Sequence, residues 1–103
     1  MADTIALTET TYYILLSLYR PLHGYGIMQR AAELSGGRVR LAAGTLYGAL
    51  NALVDKGWIA PLPGEGRKKE YQLTPQGLAV LKKELARLRE LVASGDLVMK
   101  EEA

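Results

Sequence analysis

The sequence predicts a mainly α-helical domain with one small β-hairpin. Three observations carry that expectation. Apolar residues recur at helical spacing in four separate stretches, each closed by proline or glycine. Between the third and fourth stretches, Gly57 to Gly77 breaks the helical period. It runs Gly57-Trp58-Ile59-Ala60, then the Gly/Pro turn Pro61 to Gly66, then Arg67-Lys68-Lys69-Glu70-Tyr71-Gln72-Leu73 as a basic second strand, then Thr74-Pro75 as a helix start. Finally, 103 residues correspond to a single domain with a modest core, one that buries about 60–65% of the surface of its unfolded chain.

The first helix is expected over residues 8–18, where Ile14, Leu15 and Leu18 share a stripe and Pro21 stops the run. His23-Gly24 extends that turn. The second helix runs from Tyr25 to Ser35 on Ile27, Ala31 and Leu34, and Gly36-Gly37 closes it. The third runs from Ala43 to Lys56. Leu46, Leu50, Leu53 and Val54 form its buried stripe, Thr45, Gly48, Asn51 and Asp55 lie opposite, and Gly57 ends it. In the fourth, Thr74 is the N-cap and Pro75 takes the first helical position, where its missing N–H is harmless. Leu78, Leu81, Leu85, Leu88 and Val92 follow at spacings of 3, 4, 3 and 4, a heptad seam among charged residues. Ser94-Gly95-Asp96 is expected to end the regular helix, with Lys100 to Ala103 as a frayed tail. The order is helix, helix, helix, strand, strand, helix. That is the winged form of helix-turn-helix plus a C-terminal dimerisation helix, dividing at residues 1–73 and 74–103.

Bulk composition removes several function classes. There are no cysteines, so neither disulfide nor thiol chemistry is available. No apolar run approaches membrane-spanning length, and no signal-peptide pattern is visible, so a cytoplasmic protein is expected. His23 is the single histidine and has no nucleophile or carboxylate at recognisable spacing, so no enzyme, metal site or cofactor is expected. The net charge of +2 is small, and its placement matters more than its size.

That placement points to double-stranded DNA. Gly44, Thr45, Gly48, Asn51 and Ala52 give the third helix a face without bulk, able to approach a major groove, with Thr45 and Asn51 as hydrogen-bonding groups. Arg67, Lys68 and Lys69 follow two glycines at a hairpin tip, suited to phosphates or the minor groove. Tyr47 and Tyr71 flank helix and hairpin, and each can pack its ring inside while offering its hydroxyl to phosphate. The leucine seam is spare once the first three helices close on themselves, which suggests a homodimer. A two-fold axis would then set two recognition helices about 34–36 Å apart over a palindromic operator. The competing reading is a protein-interaction module that keeps this fold and does not bind DNA.

With these residues assembled, the chain resembles the PadR family of bacterial transcriptional regulators. The likeness rests on Leu22-His23-Gly24-Tyr25-Gly26-Ile27, Gly44-Thr45-Leu46-Tyr47-Gly48-Ala49-Leu50, Leu53 to Ile59, and Arg67 to Gly77, and it runs from about Thr8 to Val92. The short length and single C-terminal helix are similar to the small subfamily. The resemblance implies a homodimer in which the fourth helix packs on the partner's first and fourth helices, and repression relieved by a small hydrophobic effector. Drug-binding members line an interface pore with a tryptophan of the fourth helix. This chain has Leu88 there and no aromatic residue on that helix. Tyr13, Ser17, Leu85 and Leu88 are the candidate walls of an effector pocket.

Overall fold

The computed structural model describes residues 6–101. The first helix, α1 (Glu9–Ser17), starts where Thr8 caps it, the threonine hydroxyl accepting from the Thr11 N–H at 3.1 Å. α2 (Gly24–Leu34) ends at Gly36 and Gly37, whose φ values of 64° and 85° turn the chain away from the helix. α3 (Ala43–Asp55) ends through Gly57, with φ at 78° and its N–H on the Val54 carbonyl at 2.9 Å.

The expected element order needs one addition. Leu22–His23 forms a short strand, β1, between α1 and α2. With β2 (Ile59–Pro61) and β3 (Glu70–Leu73) it makes a three-stranded antiparallel sheet in the order β1-β3-β2. Leu22 sits opposite Tyr71 and His23 opposite Glu70. A two-residue strand has no periodicity to read. It forms because β3 offers a free edge to pair with. His23, expected in a turn, is the N-cap of α2: its Nδ1 accepts from the Gly26 N–H at 2.9 Å.

The hairpin also differs in detail. Arg67, Lys68 and Lys69 do not lie on the second strand. Gly66–Lys68 is a 3₁₀ turn, and the strand begins at Glu70. Gly66, with φ at 62°, starts that turn, and the Leu62 N–H on the Glu70 carbonyl (2.8 Å) closes the hairpin below it. The backbone of Arg67 and Lys68 thereby belongs to the turn between the strands, and Lys69 links that turn to β3.

The last helix, α4 (Pro75–Glu101), runs past the expected stop at Ser94-Gly95-Asp96. One interior glycine costs only about 1 kcal/mol relative to alanine, and the apolar residues Leu97, Val98 and Met99 continue the helical pattern beyond it. Lys100, expected in the frayed tail, is helical, while Glu102 and Ala103 lie outside the described residues.

The core gathers the buried stripe of each element. Ile14, Leu15, Leu18, Ile27, Leu46, Leu50 and Ile59 are fully buried, joined by Leu53, Trp58, Tyr71 and Leu81. α4 enters this core through Leu81, and its first turn is clasped to the base of the hairpin. The Thr74 N–H donates to the Trp58 carbonyl (3.0 Å), the Thr74 hydroxyl donates to the Gly57 carbonyl (2.6 Å), and the same hydroxyl oxygen accepts from the Gly77 N–H (3.0 Å). The end of α3, the hairpin and the start of α4 are thus held as one junction.

Candidate nucleic-acid interface

Burial of Leu46, Leu50 and Leu53 turns the opposite side of α3 outward. Gly44, Thr45, Tyr47, Gly48, Asn51 and Ala52 are all exposed there. A methyl group added at Gly44 or Gly48 would meet no atom within 4 Å, so another molecule can approach the helix backbone directly. Tyr47 is 41% exposed, and its phenol end rests on the first residue of α2, Gly24.

In the wing, Lys68 is exposed and Lys69 half-buried. Arg67 belongs to the same turn by its backbone; its side chain lies outside the described part of the structure. Tyr71 is placed differently from Tyr47. It is only 8% exposed and packs in the core beneath the wing, so its ring supports the sheet. Two cations that the sequence reading passed over, Arg38 and Arg40, are exposed in the loop leading into α3. The alternation Arg38-Val39-Arg40 was the available signal: Val39 is buried, and its neighbours therefore point outward. Arg38 pairs with Glu9 and lies 3.5 Å from the Tyr13 hydroxyl.

The leucine seam splits along its length. Leu81 is 5% exposed and faces its own core, because the first turns of α4 lie against α1 and β3. Leu78, Leu85 and Leu88 are half-buried. Val92 is 62% exposed, and Leu91, Val98 and Met99 lie on the same side of the outer half of the helix, with Leu97 facing the other way.

The candidate effector residues do not share one cavity within the protomer. Tyr13 and Leu88 line a groove of about 360 Å³ together with Leu7, Glu9, Tyr12, Glu84 and Arg87. Ser17 is buried, donates to the Tyr13 carbonyl at 2.7 Å, and borders a different hollow with Tyr19, Arg20 and Arg30. Leu85 is half-buried on α4 and is not a wall of either. At the groove floor the buried Glu84 carboxylate accepts from Arg87 Nε and Nη2, both at 2.7 Å, and from the Leu7 N–H at 3.1 Å. The Arg87 bonds hold its pKa below the ordinary value; burial opposes the shift and the Leu7 N–H assists it.

Among the described residues, no group of three or more histidines and carboxylates is placed to hold a metal, and no helix is long and apolar enough to cross a membrane. The described surface carries an open face on α3, an exposed Lys68 in the wing, and an α4 whose outer half is exposed.

The model of the PadR-like family of transcriptional regulators matches residues 13–83, from α1 into α4. The chain belongs to the PadR-like family. Members of that family are transcriptional regulators, and this chain's helices and small antiparallel sheet form the family's winged-helix fold. A PadR-like transcription factor from Bacteroides fragilis is 27% identical, covers 85% of this chain and 87% of its own length, and superimposes with a TM-score of 0.72. The regulator BpsR of Bordetella bronchiseptica shares the fold at 19% identity and a TM-score of 0.67, covering 85% of this chain and 59% of its own. DNA binding by BpsR is regulated by 6-hydroxynicotinic acid. An uncharacterized 37.1 kDa protein of transposon TN4556 from Streptomyces fradiae is 44% identical over 64 residues. That match spans 62% of this chain but only 18% of the Streptomyces protein.

Proposed function

We propose that this PadR-like regulator acts as a homodimeric repressor on a palindromic operator and is released by a small hydrophobic effector. In this reading Thr45, Tyr47, Gly48 and Asn51 of α3 meet the major groove and its phosphates. Arg67, Lys68 and Lys69 meet the neighbouring phosphates or minor groove. Tyr71 supports the wing from the core. Leu78, Leu85, Leu88 and Val92 carry the dimer contact, and Leu81 anchors their helix to its own protomer.

The observation that carries the proposal is the pairing of two exposed features on one rigid junction. One is the unobstructed face of α3, with two glycines open to approach. The other is the apolar band of α4, where Leu91, Val92, Val98 and Met99 share one side and are each at least half exposed. A band of that kind on a single helix favours a partner with the same surface. The groove beside Tyr13 and Leu88 supports the effector part of the reading, as does the ligand-regulated DNA binding of BpsR.

The test is duplex binding to the sequence upstream of the protein's own gene, by anisotropy, across a salt series. Replacing Lys68 and Lys69 together by alanine is expected to weaken binding to every sequence and to lower the salt slope by about one to two. An unchanged slope removes the wing from the contact. Absence of salt-sensitive binding to any duplex would return the chain to the protein-interaction reading.

A further inference from the structure

Gly24 has a backbone that does not call for glycine. It is the first residue of α2 and is not among the positive-φ glycines, so alanine would fit its conformation and helix propensity would favour it. What a side chain there would meet is Tyr47. A Cβ built on Gly24 lies 2.4 Å from the Tyr47 hydroxyl oxygen, 2.9 Å from Cζ and 3.4 Å from Cε1. The other side of this contact cannot yield. The start of α2 is held by the His23 cap on the Gly26 N–H and by pairing of His23 with Glu70 on β3. The tyrosine can yield, because its phenol end is the far end of a side chain that is 41% exposed.

We infer that Gly24 is a positioning residue for DNA binding: its missing side chain is the seat that holds the Tyr47 hydroxyl over the first turn of α2, at the entrance to the recognition face. This rests on the reading of Tyr47 as a DNA contact. A methyl group at position 24 swings the phenol away from its seat without disturbing the buried stripe of either helix. The consequence is therefore lost affinity in a folded protein. Tyrosine is uncharged and releases no counterion, so the salt slope stays as it was, unlike the effect of changing the wing lysines.

The experiment is a cycle of Gly24→Ala, Tyr47→Phe and the double variant in the full chain. Each is measured for thermal unfolding and for binding to the upstream duplex at several salt concentrations. Gly24→Ala is expected to stay folded and to bind about tenfold more weakly with an unchanged salt slope. Tyr47→Phe should lose about three- to tenfold, the worth of one hydrogen bond. The double variant should bind no more weakly than Tyr47→Phe alone, since both changes act through the same hydroxyl. Wild-type affinity in Gly24→Ala, or losses that simply multiply in the double variant, would overturn the inference. If Gly24→Ala does not fold, Gly24→Ala combined with Tyr47→Ala lacks every colliding ring atom and must fold; failure of both also overturns it. If the wild-type protein binds no duplex, the DNA reading fails separately and the thermal cycle decides. Non-additive melting temperatures uphold the Gly24–Tyr47 seat, and additive ones refute it.

Discussion

Gly77→Ala provides the sharpest test of the junction that joins α3, the hairpin and α4. A Cβ at position 77 would stand 1.8 Å from the Trp58 carbonyl oxygen, 2.8 Å from its carbonyl carbon and 3.1 Å from its Cα. All three are backbone atoms, so no rotamer change relieves the collision. Ordinary C···O contact needs about 3.3 Å, so the start of α4 must retreat by about 1.5 Å. That retreat breaks the Thr74 bonds to the Trp58 and Gly57 carbonyls and loosens the cap on the Gly77 N–H. Three neutral hydrogen bonds at about 0.5–1.5 kcal/mol each, plus about 1–3 kcal/mol of overpacking, are offset by about 1 kcal/mol of helix propensity. The net loss is about 1.5–6.5 kcal/mol, which at about 4–8 °C per kcal/mol lowers Tm by at least about 6 °C for a domain of this size. The control is Gly48→Ala, the same change inside α3 at a site with nothing within 4 Å. It should raise stability by up to about 1 kcal/mol while weakening duplex binding. Thermal circular dichroism at one fixed protomer concentration measures both. A Tm for Gly77→Ala within a few degrees of wild type, or a fall in Tm for Gly48→Ala, would refute the reasoning.

Three further outcomes follow from single contacts. The Glu84 carboxyl binds its proton less readily in the folded state than in the unfolded one, so its contribution is full above the ordinary glutamate value of about 4.3 and declines as pH falls through the lowered folded value. Glu84→Gln should therefore lower Tm by several degrees at pH 7, and the gap to wild type should close on acidification; a gap that does not change with pH would rule out the Arg87 bonds as its cause. His23→Ala removes the acceptor that caps α2 and should cost about 0.5–2 kcal/mol in chemical denaturation, with His23→Asn restoring most of it. Val92→Glu alters a residue that is 62% exposed, so helix content should be unchanged while sedimentation shifts from dimer to monomer at micromolar concentration; a wild-type monomer under the same conditions would contradict the proposed assembly.

Helix positions were legible because their signals are local. Thr8 and Thr74 cap, Pro21, Gly36-Gly37 and Gly57 stop, and the apolar period between them names the buried faces; the structure follows each within a residue or two. The stop at Ser94-Gly95-Asp96 failed because one weak helix former cannot end a helix whose neighbours continue the pattern. The open face of α3 was also legible, since Thr45, Gly48 and Asn51 lie opposite a leucine stripe of fixed period. Tyr71 and Ser17 were not. Each adjoins a half-buried residue of its own element, and only the packing of neighbouring elements determined that both turn inward.

By itself the sequence determined the helices, the hairpin between the third and fourth of them, the basic character of that hairpin, and the family motifs, all of which depend on residues close together in the chain. Tertiary structure decided what depends on distant residues meeting. It recruited Leu22–His23 as a third strand on the free edge of β3. It moved Arg67 and Lys68 from the expected strand into a turn. It assigned Leu81 to the protomer's own core while leaving Val92 outside. It also brought Gly24 to Tyr47 and Gly77 to Trp58. The physical reason is the same in each case: periodicity and capping are set by neighbours within a few positions, whereas burial and close approach are set by whichever surfaces the folded chain presses together.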